Sequence, residues 1–283
     1  MTLRHDLVGV PTDPLLREWT DRETLLYALA VGAGAADPAA ELDYTTENSA
    51  GFVQRVVPTF ACGLASARSP RSLGDFDTSK LVHAEQTVVF HGPVPTAGSA
   101  KAVSTLTHVY DKAKSALLVQ ESVATDAVTG APLATTTGTF MVSGEGGFGG
   151  DRGPKAPEWT PPDRSADHQV EYATRADQPL LYRLTGDRNP LHSDPAVARR
   201  AGFPRPIMHG MCTYGFTCRA LVATAAGGDP DRLRTMSARF SKPALPGTVL
   251  TVEVWTHGHD VWFRTLDGDG EVVLDRGVAT IAV

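Results

Sequence analysis

Tyr182–Arg219 reads YRLTGDRNPLHSDPAVARRAGFPRPIMHGMCTYGFTCR. Within it an acid, an amide and an imidazole crowd together as Asp187, Asn189 and His192, with Pro190 among them. Proline has no N–H and clashes with the preceding turn, so this cannot be the interior of a regular helix. Gly186 lets the helix before it break. The polar groups therefore sit on a turn, where neighbouring side chains can converge on one ligand. Downstream, His209-Gly210 opens an apolar run that reads as a long helix from His209 to Ala226. A glycine at a helix start leaves bare N–H groups that can hold an anionic oxygen. A base beside such an oxyanion site is a catalytic layout.

Working outward, Pro195 to Ala201 predicts a short helix, capped by Asp194 with proline at its first position. A helix around Asp177 to Leu184 precedes the turn, and a strand at His168 to Ala173 precedes that helix. Four strands follow the long helix: Leu233 to Phe240, Val249 to His257, Val261 to Thr265 and Arg276 to Val283. Asp267-Gly268-Asp269-Gly270 is a hairpin signal between the last two.

The first half has the same plan. Thr20 to Ala36 predicts a helix, with Thr20 and Glu23 forming a capping box and Leu25, Leu26, Leu29 and Val31 an apolar face. Asp37-Pro38 ends it, and a polar connection, Tyr44 to Gly51, carries Glu47. Val56 to Ala65 suits a buried helix. Strands are expected at Glu85 to Phe90, Ala100 to Tyr110, Ala116 to Ala124 and Pro132 to Ser143, as an antiparallel meander with a helix laid across it. Leu25-Leu-Tyr-Ala-Leu29 recurs as Leu180-Leu-Tyr-Arg-Leu184, and Asp37-Pro38 as Asp194-Pro195. The shared order points to duplication, although the first copy lacks the Asp-x-Asn-Pro-x-His turn. Gly144 to Arg164 is too rich in Gly and Pro for regular structure. The expected division is a first repeat at 1–150, a linker at 151–166 and a second repeat at 167–283.

The 283 residues suffice for two ordinary domains, and 42% apolar content allows a real core. A net charge of −6 with mixed signs argues against a general nucleic-acid surface. Three cysteines without a CxxC imply neither a disulfide framework nor a zinc motif. The N-terminus has no signal-like apolar core, and there is no long apolar run, so a soluble cytoplasmic protein bound to no membrane is expected.

A carboxylate and an imidazole across a proline turn can share one water, taking one proton from it and delivering another. Asn189 can orient the pair. Taken singly, Asp187 and Asn189 are also ordinary turn formers. Asp187, His192 and His209 could instead hold a metal, but no fourth ligand suggests itself. No Gly-x-Ser-x-Gly supports a serine nucleophile.

These residues match a family. Tyr182-Arg-Leu-Thr-Gly-Asp-Arg-Asn-Pro-Leu-His192, then His209-Gly210-Met211 and Arg239-Phe-Ser-Lys-Pro-Ala-Leu-Pro-Gly247, resembles the MaoC-like (R)-specific enoyl-CoA hydratases, or hydratase 2. Leu25 to Gly32 and Val57-Pro-Thr-Phe60 resemble the degenerate first half of the two-repeat members. The resemblance implies an α+β double hot-dog fold, in which two repeats each wrap a curved antiparallel sheet around a long helix. It implies reversible hydration of trans-2-enoyl-CoA to (3R)-hydroxyacyl-CoA, with the CoA or acyl-carrier-protein thioester as substrate and no metal or redox cofactor. Asp187 and His192 fall on the family's catalytic pair, Asn189 on its supporting amide, and Gly210 on the backbone N–H that meets the thioester oxygen. Tyr182, Tyr27 and Glu47 match supporting positions, and His209 joins the substrate-binding side chains. Arg199, Arg200, Arg205, Arg239 and Lys242 are candidates for the CoA phosphates, and the first half for the acyl tail. A homodimer is compatible with such a chain. A thioesterase and a non-catalytic acyl-CoA binder are the competing functions, since hot-dog folds host several activities.

Overall fold

The structure, a computed structural model, describes residues 3–69, 72–155 and 158–282. Val283, the end of the last expected strand, and residues 156 and 157 of the expected linker lie outside the described residues. The first half runs β1 (Leu15–Trp19), α1 (Asp21–Ala30), α2 (Leu42–Thr45), α3 (Phe60–Ala65), β2 (Leu81–Phe90), β3 (Gly98–Asp111), β4 (Ser115–Asp126) and β5 (Pro132–Ser143). The second runs β6 (His168–Ala173), α4 (Gln178–Tyr182), α5 (Pro195–Arg200), α6 (Gly210–Ala223), β7 (Leu233–Phe240), β8 (Val249–His257), β9 (Asp260–Leu266) and β10 (Val272–Ile281).

All ten strands join one antiparallel sheet in the order β1-β3-β4-β5-β2-β7-β10-β9-β8-β6. Read from each outer edge inward, the halves have the same internal order, as duplication predicts. They meet where β2 pairs with β7, Glu85 opposite Arg239 through Val89 opposite Thr235. This is the expected double hot-dog. Its two halves are unequal, however: α6 has fourteen residues, whereas α3, its counterpart, has six. A long helix is thus a property of the second repeat alone.

Eleven consecutive residues of α6, Cys212 to Val222, are buried, so the helix is enclosed on every side. Its polar side chains find partners there: Tyr214 donates to the Met236 carbonyl at 2.6 Å, and Thr217 meets Thr265 at 2.7 Å. At Gly215 the first repeat packs close against the helix, since a Cβ there would run into Val31 and lie 3.2 Å from the Tyr27 hydroxyl.

The first-half helix starts as expected, the Glu23 carboxylate accepting from the Thr20 N–H at 2.8 Å and its hydroxyl at 2.6 Å. It stops at Ala30 rather than Ala36, because Gly32 and Gly34 take positive φ. Its buried residues are Thr24, Tyr27, Ala28 and Ala30, with Val31 buried just beyond it as expected, while Leu29 is exposed. β1, a short edge strand, went unpredicted. Described parts of the Gly/Pro-rich segment are held by bonds to the sheet: Asp111 accepts from the N–H groups of Gly147 and Gly149, and the Trp159 indole donates to the Gly277 carbonyl. Among the described residues, no helix is long and apolar enough to cross a membrane.

Candidate active site

The turn after α4 is built from short local bonds. Gly186, at φ 135, adopts a backbone closed to side-chain-bearing residues and ends the helical segment. Asp187 Oδ1 then accepts from the Asn189 N–H at 3.0 Å, and Asn189 Oδ1 from the Leu191 N–H at 3.2 Å. Pro190–His192 form one 3-10 turn, and Asp194 caps α5 through the N–H groups of Ala196 and Val197. Asn189 thus shapes the turn that holds both Asp187 and His192.

Asp187 is exposed, whereas His192 and His209 are buried. One ligand-capable atom from each lies within 4.8 Å of the others. The His192 Nδ1–H donates to the Ile207 carbonyl at 3.0 Å, which leaves Nε2 as the basic nitrogen. The His209 Nε2–H donates to the Asp187 carbonyl at 3.2 Å. The two rings stack with centroids 3.8 Å apart. Stacked imidazoles do not converge on a common centre as ligands of a tetrahedral metal do. The cluster suits a proton-transfer site better.

Gly210 opens α6 beside this group, is exposed, and has no acceptor for its N–H among the described residues. A Cβ there would lie 3.0 Å from the Phe240 ring, a crowding that favours glycine. The free N–H and the positive end of a fourteen-residue helix suit a developing oxyanion.

An aromatic row leads into the site from the first repeat. Trp19 meets Phe60 at 6.2 Å, Phe60 meets Tyr27 at 5.6 Å, Tyr27 meets Tyr182 at 6.2 Å and Tyr182 meets His209 at 4.9 Å. Both tyrosines are buried, and burial raises their pKa values well above the ordinary phenol range. The Tyr27 hydroxyl donates to the Thr59 hydroxyl at 3.0 Å. The recurring Leu-Leu-Tyr words thus bring their tyrosines together.

Other expected residues lie apart. Glu47 sits in an exposed bend beyond α2, and no described contact joins it to Asp187. A first-half acid that does form an ion pair with the second half is Glu41, whose carboxylate pairs with Arg219 on α6. Arg239 is paired with Asp275 and Lys242 with Glu271. Arg199, Arg200 and Arg205 are exposed, with no ion-pair partner among the described residues. A recess of about 350 Å³ between β6, β8 and β9, lined by Gln169, Glu171 and Glu253, includes none of the site residues.

Sequence reasoning missed the Ile207 carbonyl and Thr59, which hold His192 and Tyr27, and it missed His83. This β2 histidine stacks on Phe140 at 4.5 Å and lies 4.8 Å from Phe240. Only the proximity of strands distant in sequence reveals it.

Enclosure pushes the His83 pKa down to about 4. Enclosure, followed by repulsion from His192, does the same to His209. Both rings stay neutral in the fold while the unfolded chain protonates below its ordinary value. The unfolded state then binds more protons, so stability present at neutral pH is lost as pH falls from about 6.5 towards about 4. We expect urea midpoints to drop across that window, with roughly 3 kcal/mol lost per ring. A His83→Phe protein should show the shallower decline.

Similarity to known proteins extends over both halves of the chain. Residues 158–277 match the family described as MaoC like domain, and residues 18–144 the family described as MFE-2 hydratase 2 N-terminal domain. The chain is similar to the 3-hydroxyacyl-thioester dehydratase Y of Mycobacterium tuberculosis, 44% identical over 289 residues and 98% of each chain. It is 41% identical to enoyl-CoA hydratase ChsH3 of the same organism, over 89% of this chain and 88% of that one. Among solved structures, a MaoC-like dehydratase from Phytophthora capsici aligns with a TM-score of 0.86 at 25% identity, over 98% of this chain and 97% of that one.

Proposed function

The chain belongs to the MaoC-like hydratase family in its two-repeat form, and from that premise we propose how it works as a hydro-lyase on enoyl thioesters. The reaction is reversible addition of water to a trans-2-enoyl-CoA, giving the (3R)-hydroxyacyl-CoA. The observation that carries the reading is the meeting of Asp187 and His192 within 4.8 Å, beside the helix that Gly210 opens.

Water lies between the Asp187 carboxylate and His192 Nε2. Asp187 takes a proton as the oxygen attacks C3. Electron density moves through C2 onto the thioester oxygen, where the Gly210 N–H and the α6 dipole hold the charge. One such donor is worth roughly 3 kcal/mol, about a hundredfold in rate. C2 then takes a proton from the pair, so that H and OH add to one face and the carboxylate is restored. Asn189 keeps the turn in shape, and Tyr27, Tyr182 and His209 wall the pocket.

The division at 1–150, 151–166 and 167–283 belongs to the same proposal, with the first repeat taking the acyl tail along its aromatic row. Arg199, Arg200 and Arg205 are the cations best placed for phosphates, since Arg239 and Lys242 already have carboxylate partners. Coenzyme A, or an acyl-carrier protein, arrives as part of the substrate, and no further cofactor is invoked. We assign the protein to the cytoplasm, a reading that its three free thiols support, and a homodimer is compatible with it.

Incubation with trans-2-enoyl-CoA is expected to bleach the conjugated thioester band with no release of thiol, and chiral analysis to return the (3R) alcohol. Free thiol in step with the bleaching would instead mark a thioesterase. Binding without either change would mark a carrier.

A further inference from the structure

The strand at the junction of the repeats carries an irregularity that bears on the site. In the β2–β5 pair His83 lies opposite Phe140 and Glu85 opposite Thr139, so Ala84 is an extra, bulged residue. On β5, Phe140 shares a face with Gly138 and Thr136, which lie opposite Gln86 and Val88. Residues facing each other across an antiparallel pair point to the same side. Without the bulge His83 would project with Glu85 and Thr87. With it, the imidazole projects with Gln86 and Val88, on the side that covers the helices. Bulges re-aim side chains in this way and recur beside active sites.

The imidazole lies between Phe140 and Phe240, and Phe240 is the ring that crowds Gly210. Packing alone would be served by a third phenylalanine. Histidine brings two ring nitrogens that need partners when buried. The His83 Nε2 is enclosed and has no hydrogen-bond partner among the described residues. Of the groups that act on the ring, the Glu85 backbone and the Gln86 side chain are hydrogen-bonding neighbours on its own strand, and the Asp187 charge reaches it from the second repeat. Asp187 takes one backbone N–H on Oδ1, and its Oδ2 has no donor among the described residues. Catalytic hydrogen bonds are commonly loose before substrate binds and tighten in the Michaelis complex.

We infer that His83 is a positioning residue for the hydration site, an imidazole from the first repeat whose ring N–H holds the free edge of the Asp187 carboxylate in its attacking orientation. This rests on the hydratase reading and adds to it a contribution of the first repeat to the chemical step, beyond housing the acyl tail. A residue acting in this way changes the reaction barrier and leaves substrate affinity nearly untouched.

The test compares His83→Phe, which keeps the ring volume, with His83→Gln, which keeps an N–H donor. For His83→Phe, kcat on a trans-2-enoyl-CoA is expected to fall about tenfold to a hundredfold, with KM within about twofold of the parent. The melting temperature at neutral pH should be unchanged, and His83→Gln should recover a substantial part of the lost kcat. An unchanged kcat in His83→Phe would reduce the ring to packing and overturn the inference. A rise in KM alone, or no recovery with glutamine, would overturn it equally. If His83→Phe does not fold, His83→Leu and His83→Gln make the same comparison. A parent enzyme silent on every enoyl thioester would overturn the hydratase reading itself, whereas an active parent with indifferent His83 variants sinks only this inference.

Discussion

An Asp187→Asn protein is expected to fold as the parent does and to hydrate enoyl-CoA about a thousandfold more slowly. The side chain is exposed, and the amide oxygen can still accept the Asn189 N–H, so the turn keeps its shape. What disappears is the anionic base. His192→Gln should cost about as much, because it removes Nε2 while glutamine can still donate to the Ile207 carbonyl. The double variant should be little worse than either single one, since both residues act on the same water. Stopped assays on purified variants, with circular dichroism as a control on folding, give the comparison. Turnover that survives in both single variants would remove the pair from the mechanism.

The second large effect concerns stability, at Glu41. Arg219 is 5% exposed at its side chain and Glu41 is 32% exposed. The guanidinium also donates to the Val31 carbonyl at 2.9 Å and lies 4.5 Å from the Tyr172 ring centre. Glu41 accepts in addition from the Gly34 N–H at 3.1 Å, and its own backbone sits at φ 56, unusual for a residue with a side chain. Removing the acid strands a buried charge, whereas removing the arginine leaves an acid that water can reach. Glu41→Ala is therefore expected to cost about 3 kcal/mol or more, and Arg219→Met distinctly less. In a chain of this size that lowers Tm by roughly 10 °C for Glu41→Ala. Differential scanning calorimetry of the two variants tests the order. If Arg219→Met proved the worse, side-chain packing of the arginine would outweigh its charge.

Much of the fold was legible because period-two patterns bounded by turn residues leave little choice. Pro132–Ser143, His168–Ala173, Leu233–Phe240 and Val249–His257 lie where the alternation predicts them. The Asp-x-Asn-Pro turn was legible for a similar reason, being made of bonds between residues two apart. What escaped depends on contacts distant in sequence. Leu15–Trp19 is a strand only because β3 lies beside it. Leu25 and Leu26 looked like the core face of α1, yet Tyr27 holds that position through Phe60 and Tyr182. The resemblance puts Glu47 among the supporting positions, whereas the pairing of Glu41 with Arg219 across the repeats leaves no local mark in the sequence. A bulge of one residue, Ala84, leaves no mark in composition or hydropathy, and it decides which way His83 points.

The pairing of β2 with β7 joins two segments of the same polypeptide. Tyr27 and His83 on one side, and Asp187 and Gly210 on the other, therefore cannot diffuse apart. Two separate single-repeat chains meeting along such a strand pair would lose this arrangement on dilution, according to their dissociation constant. Here covalent continuity sets a fixed local concentration. Specific activity should accordingly hold constant across serial dilution as far as this junction is concerned, and a cut in the 151–166 segment would make it depend on protein concentration.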